Sequence, residues 1–388
     1  MPGSTAPATA SPPAATTLPA TSSADTSTTI PDVATSPPPT IPSGTVTPVK
    51  PGYLIAADRC AANKAAGPIT FLTGLDFAAS AGTIEVLTAK EKNYYERMCL
   101  DVEITSGKSS SNYQTVAQNA AQFAAADTFS ELMANAASTQ SDFVVLTEDG
   151  TSPLDTLIVR DDAAPTIADL RGQTIGVSGT MPTAVQTMLA DNGLIAGTDY
   201  QIAEIAQTYG LDPTVQITIP TIVAFTGSKA VQPGILNRAV VRFHTFDPAS
   251  ANVPGNFGLI YTNRAFATEF PTAVQDFVRA TIKGLDDALD NPGAASANAF
   301  EMATAAGNPA GLTLDGENYR WKTESDLMKA SVAPGHPPAV PDVSGLQAAI
   351  DSDAVLGRFG ATKPTLDTHV DVTTIASIYN PDGTVIWP

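Results

Sequence analysis

Residues 69–104 read ITFLTGLDFAASAGTIEVLTAKEKNYYERMCLDVEI, and the change of hydrophobic period inside this stretch decides the fold. Ile69 to Leu72 is a short apolar run. From about Ser80 to Arg97 the apolar residues Ile84, Val86, Leu87, Ala89 and Tyr94 fit a helix. Leu100 to Ile104 then alternates apolar and polar, as a strand does. Strand, helix, strand in one 36-residue window is a βαβ unit, which implies a parallel sheet.

Reading outward, the alternation continues. A helix is expected around Tyr113 to Asn119, a strand at Phe123 to Ala126, a helix opened by Thr128 or Ser130, and a strand at Phe143 to Leu146. Leu157-Ile158-Val159, the helix end Leu170-Arg171-Gly172 and the strand Thr174 to Val177 begin a second unit. Its helix is expected to be capped by Ser178-Gly179-Thr180 and to run to Asn192-Gly193. Phe257 to Thr262 reads as a buried strand, and Pro271 to Leu289 as a long amphipathic helix stopped by Asn291-Pro292. The C-terminal part is richer in helix, with a Pro-rich loop near 334–341.

Ahead of this series, residues 1–50 hold 11 Pro, 12 Thr, 8 Ala and 7 Ser and no aromatic residue. Such a segment has nothing with which to build a core, so residues 1–59 are expected to be a disordered tether, at home outside a cell. In the whole chain of 388 residues, Asp and Glu outnumber Lys and Arg by 39 to 20, for a net charge of -19. That balance excludes nucleic acid as a partner and disfavours adhesion to an anionic membrane surface, because both need a basic face. No apolar run reaches the roughly 20 residues of a spanning helix. Membrane attachment is therefore expected through a lipidated cysteine, carried with a signal segment ahead of Met1. Cys60 itself lacks a lipobox, since Ala57-Asp58-Arg59 precedes it.

The two cysteines, Cys60 and Cys99, are either buried thiols or, in the extracellular setting, a disulfide. His244, His336 and His369 lie far apart and in no metal spacing, and the sequence carries no GxSxG, Walker, EF-hand or GxGxxG motif. No catalytic residue, metal or cofactor is called for.

Four segments together resemble one family of substrate-binding proteins. Ala89 to Val102 resembles the "KGYY…GLDV" signature of proteins related to the thiamine-pyrimidine, nitrate and alkylsulfonate binders. Ile167 to Val177 is similar to the family's "DLKGKTIGV" motif, Phe225 to Gly234 to its "FTSYKSNEPG" segment, and Asn263 to Gly284 to its return helix. The likeness spans residues 68–330 in order. It implies a type II periplasmic-binding-protein fold of the α/β class, with two lobes, each a mainly parallel sheet flanked by helices, and a ligand cleft between them. Lobe one would comprise 60–155 and 255–388, and lobe two 156–254. The implied role is that of a solute-binding protein which closes about its hinge on a small heteroaromatic molecule, neutral or weakly anionic. The implied partner is an ABC permease in the membrane, and the chain is expected to be monomeric.

Candidate ligand contacts follow from the strand-to-helix turns: Asp76 and Phe77, Asn112 and Tyr113, Thr128 and Phe129, with Ser178 and Thr180 at the second unit's helix. The segment resembling the ligand loop adds Lys229 and Gln232. Val231-Gln232 stands where that segment usually carries Asn-Glu, which puts the relatives' aminopyrimidine in doubt. The rival readings are a pyrimidine-synthase-like enzyme, which needs a histidine in the cleft, and an extracellular ligand sensor or adaptor.

Overall fold

A computed structural model describes residues 46–332, 336–360, 362–366 and 368–388. Ten strands are present among them: β1 (Pro68–Leu72), β2 (Asp101–Thr105), β3 (Phe123–Ala126), β4 (Phe143–Gly150), β5 (Asp155–Arg160), β6 (Thr174–Val177), β7 (Gln201–Glu204), β8 (Ala224–Ser228), β9 (Phe243–Phe246) and β10 (Phe257–Asn263). They form two five-stranded sheets, ordered β2-β1-β3-β10-β4 and β7-β6-β8-β5-β9. In the first, β1 pairs parallel with β2 and β3, while β10 runs antiparallel between β3 and β4. The second repeats the plan, with β6 parallel to β7 and β8 and with β5 antiparallel between β8 and β9. The chain crosses between the sheets twice, through residues 151–154 and 247–256. Each sheet with its helices is one lobe.

The first lobe's core forms where the helix Pro271–Asp290 lays its apolar face on the sheet. Phe277 stacks on Phe123 with ring centroids 3.8 Å apart and also meets Phe71 and Tyr95. The same helix crosses the helix Ile84–Glu91 closely. A Cβ on Gly284 would lie 2.2 Å from the Glu85 carbonyl oxygen, so only glycine fits that crossing.

Three local expectations are corrected. The stretch 80–97 is not one helix. It is a turn followed by Ile84–Glu91 and Tyr94–Arg97, separated by Asn93 at φ 56°, a conformation that asparagine tolerates and that turns Tyr95 into the core onto Thr281. Ser178-Gly179-Thr180 does not cap the next helix, which begins at Thr183 after Pro182. Proline biases the preceding Met181 away from the α region and delays the helix, and Gly179 N donates to Glu204 Oε2 instead. Lastly, 59 is too late an end for the tether, because Ala57–Lys64 is helical and Thr47 N and Oγ1 both donate to Asp58 Oδ2. The tether's residues 1–45, and Pro334 of the Pro-rich loop, lie outside the described residues.

Cys60 and Cys99 form a disulfide that joins the first helix to the entry of β2. Thiol titration of the unfolded, unreduced protein is expected to find no free thiol. Two reactive thiols would refute the bond.

Candidate functional site

A cavity of about 600 Å³ opens between the lobes. Its walls are the segments that leave the C-terminal ends of the parallel strands: Gly74 after β1, Ser109 after β2, Asp127 and Thr128 after β3, Met181 to Thr183 after β6 and Ser228 at the end of β8. Open parallel sheets gather helix N-termini and loops at that edge, so a crevice there follows from the topology. Both crossovers border it, through Pro153 and Leu154 and through Pro254 to Asn256.

Of the ten residues put forward from sequence, Thr128 and Thr180 line this cavity. Thr128 also caps the helix Phe129–Thr139 by accepting from Glu131 N at 3.3 Å. The other eight point elsewhere. Phe77, Tyr113 and Phe129 are core residues; Tyr113 sits in the second turn of the helix Ser109–Ala117 against Phe143 and Tyr261. Asn112 Nδ2 donates to the Thr73 carbonyl at 2.8 Å, and Asp76 Oδ1 accepts from Ser106 Oγ at 3.0 Å, so both are buried beside the site in support of its loops. Ser178 is exposed on the outer loop. Lys229 Nζ stands 2.7 Å from Asp247 Oδ1, off the axis of a hydrogen bond, so the pairing is ionic. Gln232 Oε1 accepts from Ser228 N at 2.7 Å and is consumed in closing its own turn.

The cavity is lined instead by ionisable side chains that the turn reading passed over. Carboxylates come from both lobes: Asp127, Glu131, Glu324 and Asp353 from the first and Asp155 from the start of β5. Asp127 is exposed, but to the cavity; protein atoms crowd it, burial raises its pKa, and Ser109 Oγ donates to it at 3.1 Å. Burial likewise raises Glu131 and Asp353, and pushes Asp155 up to about 6 and Glu324 up to about 7. Arg320 and Arg358 are the inward guanidiniums, and exposed Lys108 stands at the rim. The single aromatic ring on the wall, among the described residues, is Phe257.

Contacts bridge the lobes across the mouth. Arg358 Nη2 donates to Thr183 Oγ1 at 2.7 Å, Thr187 and Ser352 share a hydroxyl contact at 3.3 Å, and Tyr319 Oη donates to the Lys229 carbonyl at 3.3 Å. Gly234 of the second lobe lies under the Tyr319 ring, where a Cβ would stand 2.4 Å from the nearest ring atom. The lobes are in contact, and the helices Leu314–Ser331 and Val343–Val355 of the C-terminal part make that contact.

A sequence model of the NMT1/THI5-like family matches residues 81–295, more than half of the chain. The chain belongs to the NMT1/THI5-like family. The matched region takes in the whole second lobe and the return through β10 and the helix Pro271–Asp290, so the resemblance read from the sequence is borne out. One curated relative, the riboflavin-binding protein RibY of Chloroflexus aurantiacus, is 29% identical over 132 residues, which is 32% of this chain and 35% of that protein. The match thus spans about a third of that relative's length. Among solved structures, the periplasmic sulfonate-binding protein SsuA of Methylobacillus flagellatus superposes with a TM-score of 0.58 at 15% identity, over 80% of this chain and 93% of that one. A Candida albicans protein described as having the generic periplasmic binding protein fold gives 0.54 at 13% identity, over 79% and 96% of the two chains. At such identities the likeness is one of fold, and this NMT1/THI5-like chain has the two-lobed α/β architecture of periplasmic binding proteins.

Proposed function

We propose that this protein is the extracytoplasmic solute-binding component of an ABC importer, which encloses a small organic molecule between its lobes by hinge closure and delivers it to a membrane permease. The observation that carries the reading is the cavity at the strand ends, bordered by both crossovers and bridged at its mouth by side chains of both lobes. A volume of this size suits a vitamin-sized ligand, and the riboflavin-binding relative supports a heteroaromatic one. Phe77, Tyr113 and Phe129 are core rings and do not stack on a ligand, and a wall rich in carboxylates disfavours a weakly anionic one. The synthase-like alternative lacks its donor in this cavity. His244 and His369 bond the Ala164 and Phe143 carbonyls, and His336 is exposed on a loop away from the cavity wall.

Gly234→Ala tests closure directly. The added methyl meets the Tyr319 ring only when the lobes close, so the variant is expected to keep its melting temperature, to scatter X-rays with a larger radius of gyration than the wild type, and to retain less co-purifying small molecule in native mass spectrometry. Tyr319→Ala in the same chain is expected to restore both. Unchanged compaction and retention in Gly234→Ala would sink the closure reading.

A further inference from the structure

Among the described residues, the cavity wall carries five carboxylates against two inward guanidiniums and Lys108 at the rim. An anionic ligand in such a cleft is held by free backbone N–H groups at helix N-termini and by unengaged cations. Here the protein's own side chains have taken the donors of two of the loops. In the loop after β1, Ala79 N donates to Glu317 Oε2, Ala81 N to Glu324 Oε2 and Gly82 N to Asp149 Oδ2, at 2.6, 2.6 and 2.7 Å. Phe129 N, at the start of its helix, donates to Asn256 Oδ1 at 2.8 Å.

The guanidiniums are engaged in the same way. Arg320 Nε lies 3.3 Å from Glu317 Oε1, while Arg358 stands 3.7 Å from Asp353 Oδ2 and bonds Thr183. Of the wall carboxylates only Asp353 has an ion pair among the described residues; Asp127 has the Ser109 hydroxyl, and Glu131, Asp155 and Glu324 face the cavity without a cation. Asp155 makes no side-chain hydrogen bond or ion pair among the described residues. Glu324, 2% exposed, uses one oxygen on Ala81 N and leaves the other without a hydrogen-bonding partner there. Carboxylates so desolvated are costly unless a cation meets them.

We infer that the ligand is a small organic cation, a protonated amine or amidinium, whose charge is received by Asp155 and Glu324. This rests on the solute-binding reading above and names the substrate class for it. The titration of the two groups agrees. Asp155 is pushed up by burial and then by the charge of Asp127, with Asp353 adding and Lys229 and Arg358 opposing. Glu324 is pushed up by burial, with Glu317 and Asp149 adding and Arg320 opposing. A bound cation favours the ionised carboxylates. Binding is therefore expected to release protons, and affinity to rise as pH climbs through about 6 and about 7.

The experiment is a thermal-shift panel of agmatine, putrescine, benzamidine and protonated 4-aminopyrimidine against ethanesulfonate, nitrate and riboflavin. Calorimetry of the hits follows in two buffers of different ionisation enthalpy. At least one cation is expected to stabilise the protein and to release protons on binding, with affinity falling roughly tenfold or more in Asp155→Asn and in Glu324→Gln. Both variants are expected to stay folded, since each removes a buried charge and keeps the shape. Wild-type affinity in both variants overturns the assignment. Stabilisation by ethanesulfonate, nitrate or riboflavin with none by a cation, or a co-purified molecule without a basic nitrogen, overturns the cationic class and leaves solute binding standing. No stabilisation by any probe and no retained molecule overturns both.

Discussion

Replacing Asp276 by alanine is expected to lower the melting temperature by roughly five degrees. Asp276 is fully buried on the helix Pro271–Asp290 and accepts from Arg59 Nε and Nη2 at 2.7 and 2.8 Å, Asn63 Nδ2 at 2.7 Å and Arg279 Nε at 3.1 Å. Gln275 also accepts from Arg59. The carboxylate thus joins the first helix to the longest one, and Arg279 carries the link onward to the Ile386 carbonyl near the C-terminus. Burial lowers the pKa of Arg279, and the Asp276 charge opposes it. Alanine leaves two guanidiniums buried with no counter-charge. Loss of one partner from a buried pair costs about 3 to 5 kcal/mol, and in a chain of this size, whose unfolding entropy scales with length, each kcal/mol moves the midpoint by roughly 1 to 2 °C. Asp276→Asn, which keeps one acceptor, is expected to lose less. A fall below about two degrees for Asp276→Ala in a thermal melt would contradict this account.

Acidification from about pH 8.5 to about pH 5.5 is expected to stabilise the protein, raising the melting temperature by roughly five degrees or more. On the cavity wall and behind it lies a set of buried carboxyls. Glu148 is pushed up to about 8, by burial first and by the charges of Asp342 and Asp149 after it. Glu324 is raised to about 7 by burial. Burial raises both members of the Glu85–Asp149 pair, and the charge of Asp149 raises Glu85 further. In the unfolded chain these groups return to about 4, so between about pH 4 and pH 8 the folded state binds more protons. Their contribution is complete below the unfolded values and is lost as pH climbs through the folded ones. One unit is about 1.4 kcal/mol, which makes the Glu148 shift alone worth on the order of a few kcal/mol. The acid limit comes from groups of opposite sign. Asp342 is held below the ordinary range by its bond from Ser344, and it loses that stabilisation as pH falls below the usual carboxylate range. Melting curves from about pH 3.5 to 9 at fixed ionic strength check the prediction, and Glu148→Gln should flatten the alkaline limb. A stability maximum at or above about pH 7.5 would rule it out.

What the sequence by itself determined is what local pattern determines. The change from period 2 to period 3.6 between Ile69 and Ile104 is set by neighbouring residues, and so are the strand Phe123 to Ala126, the Thr128 cap and the stop at Asn291-Pro292. The family was legible because its four motifs keep their order, and the fold came with it. The turns that border the cavity were located as well. Which side chain in each turn faces inward was decided only by the tertiary structure. Tyr113 and Phe129 had to fill the volume beneath β10, which left Asp127 and Thr128 on the wall. Glu324 reaches Ala81 across 243 residues, and Lys229 meets Asp247 instead of the cavity because β8 and β9 flank β5. Asp127 and Asp155 stand at strand ends, and nothing in their local sequence sets them apart from surface acids. Their importance lies in desolvation, which belongs to the assembled volume around a carboxylate and has no local sequence signal.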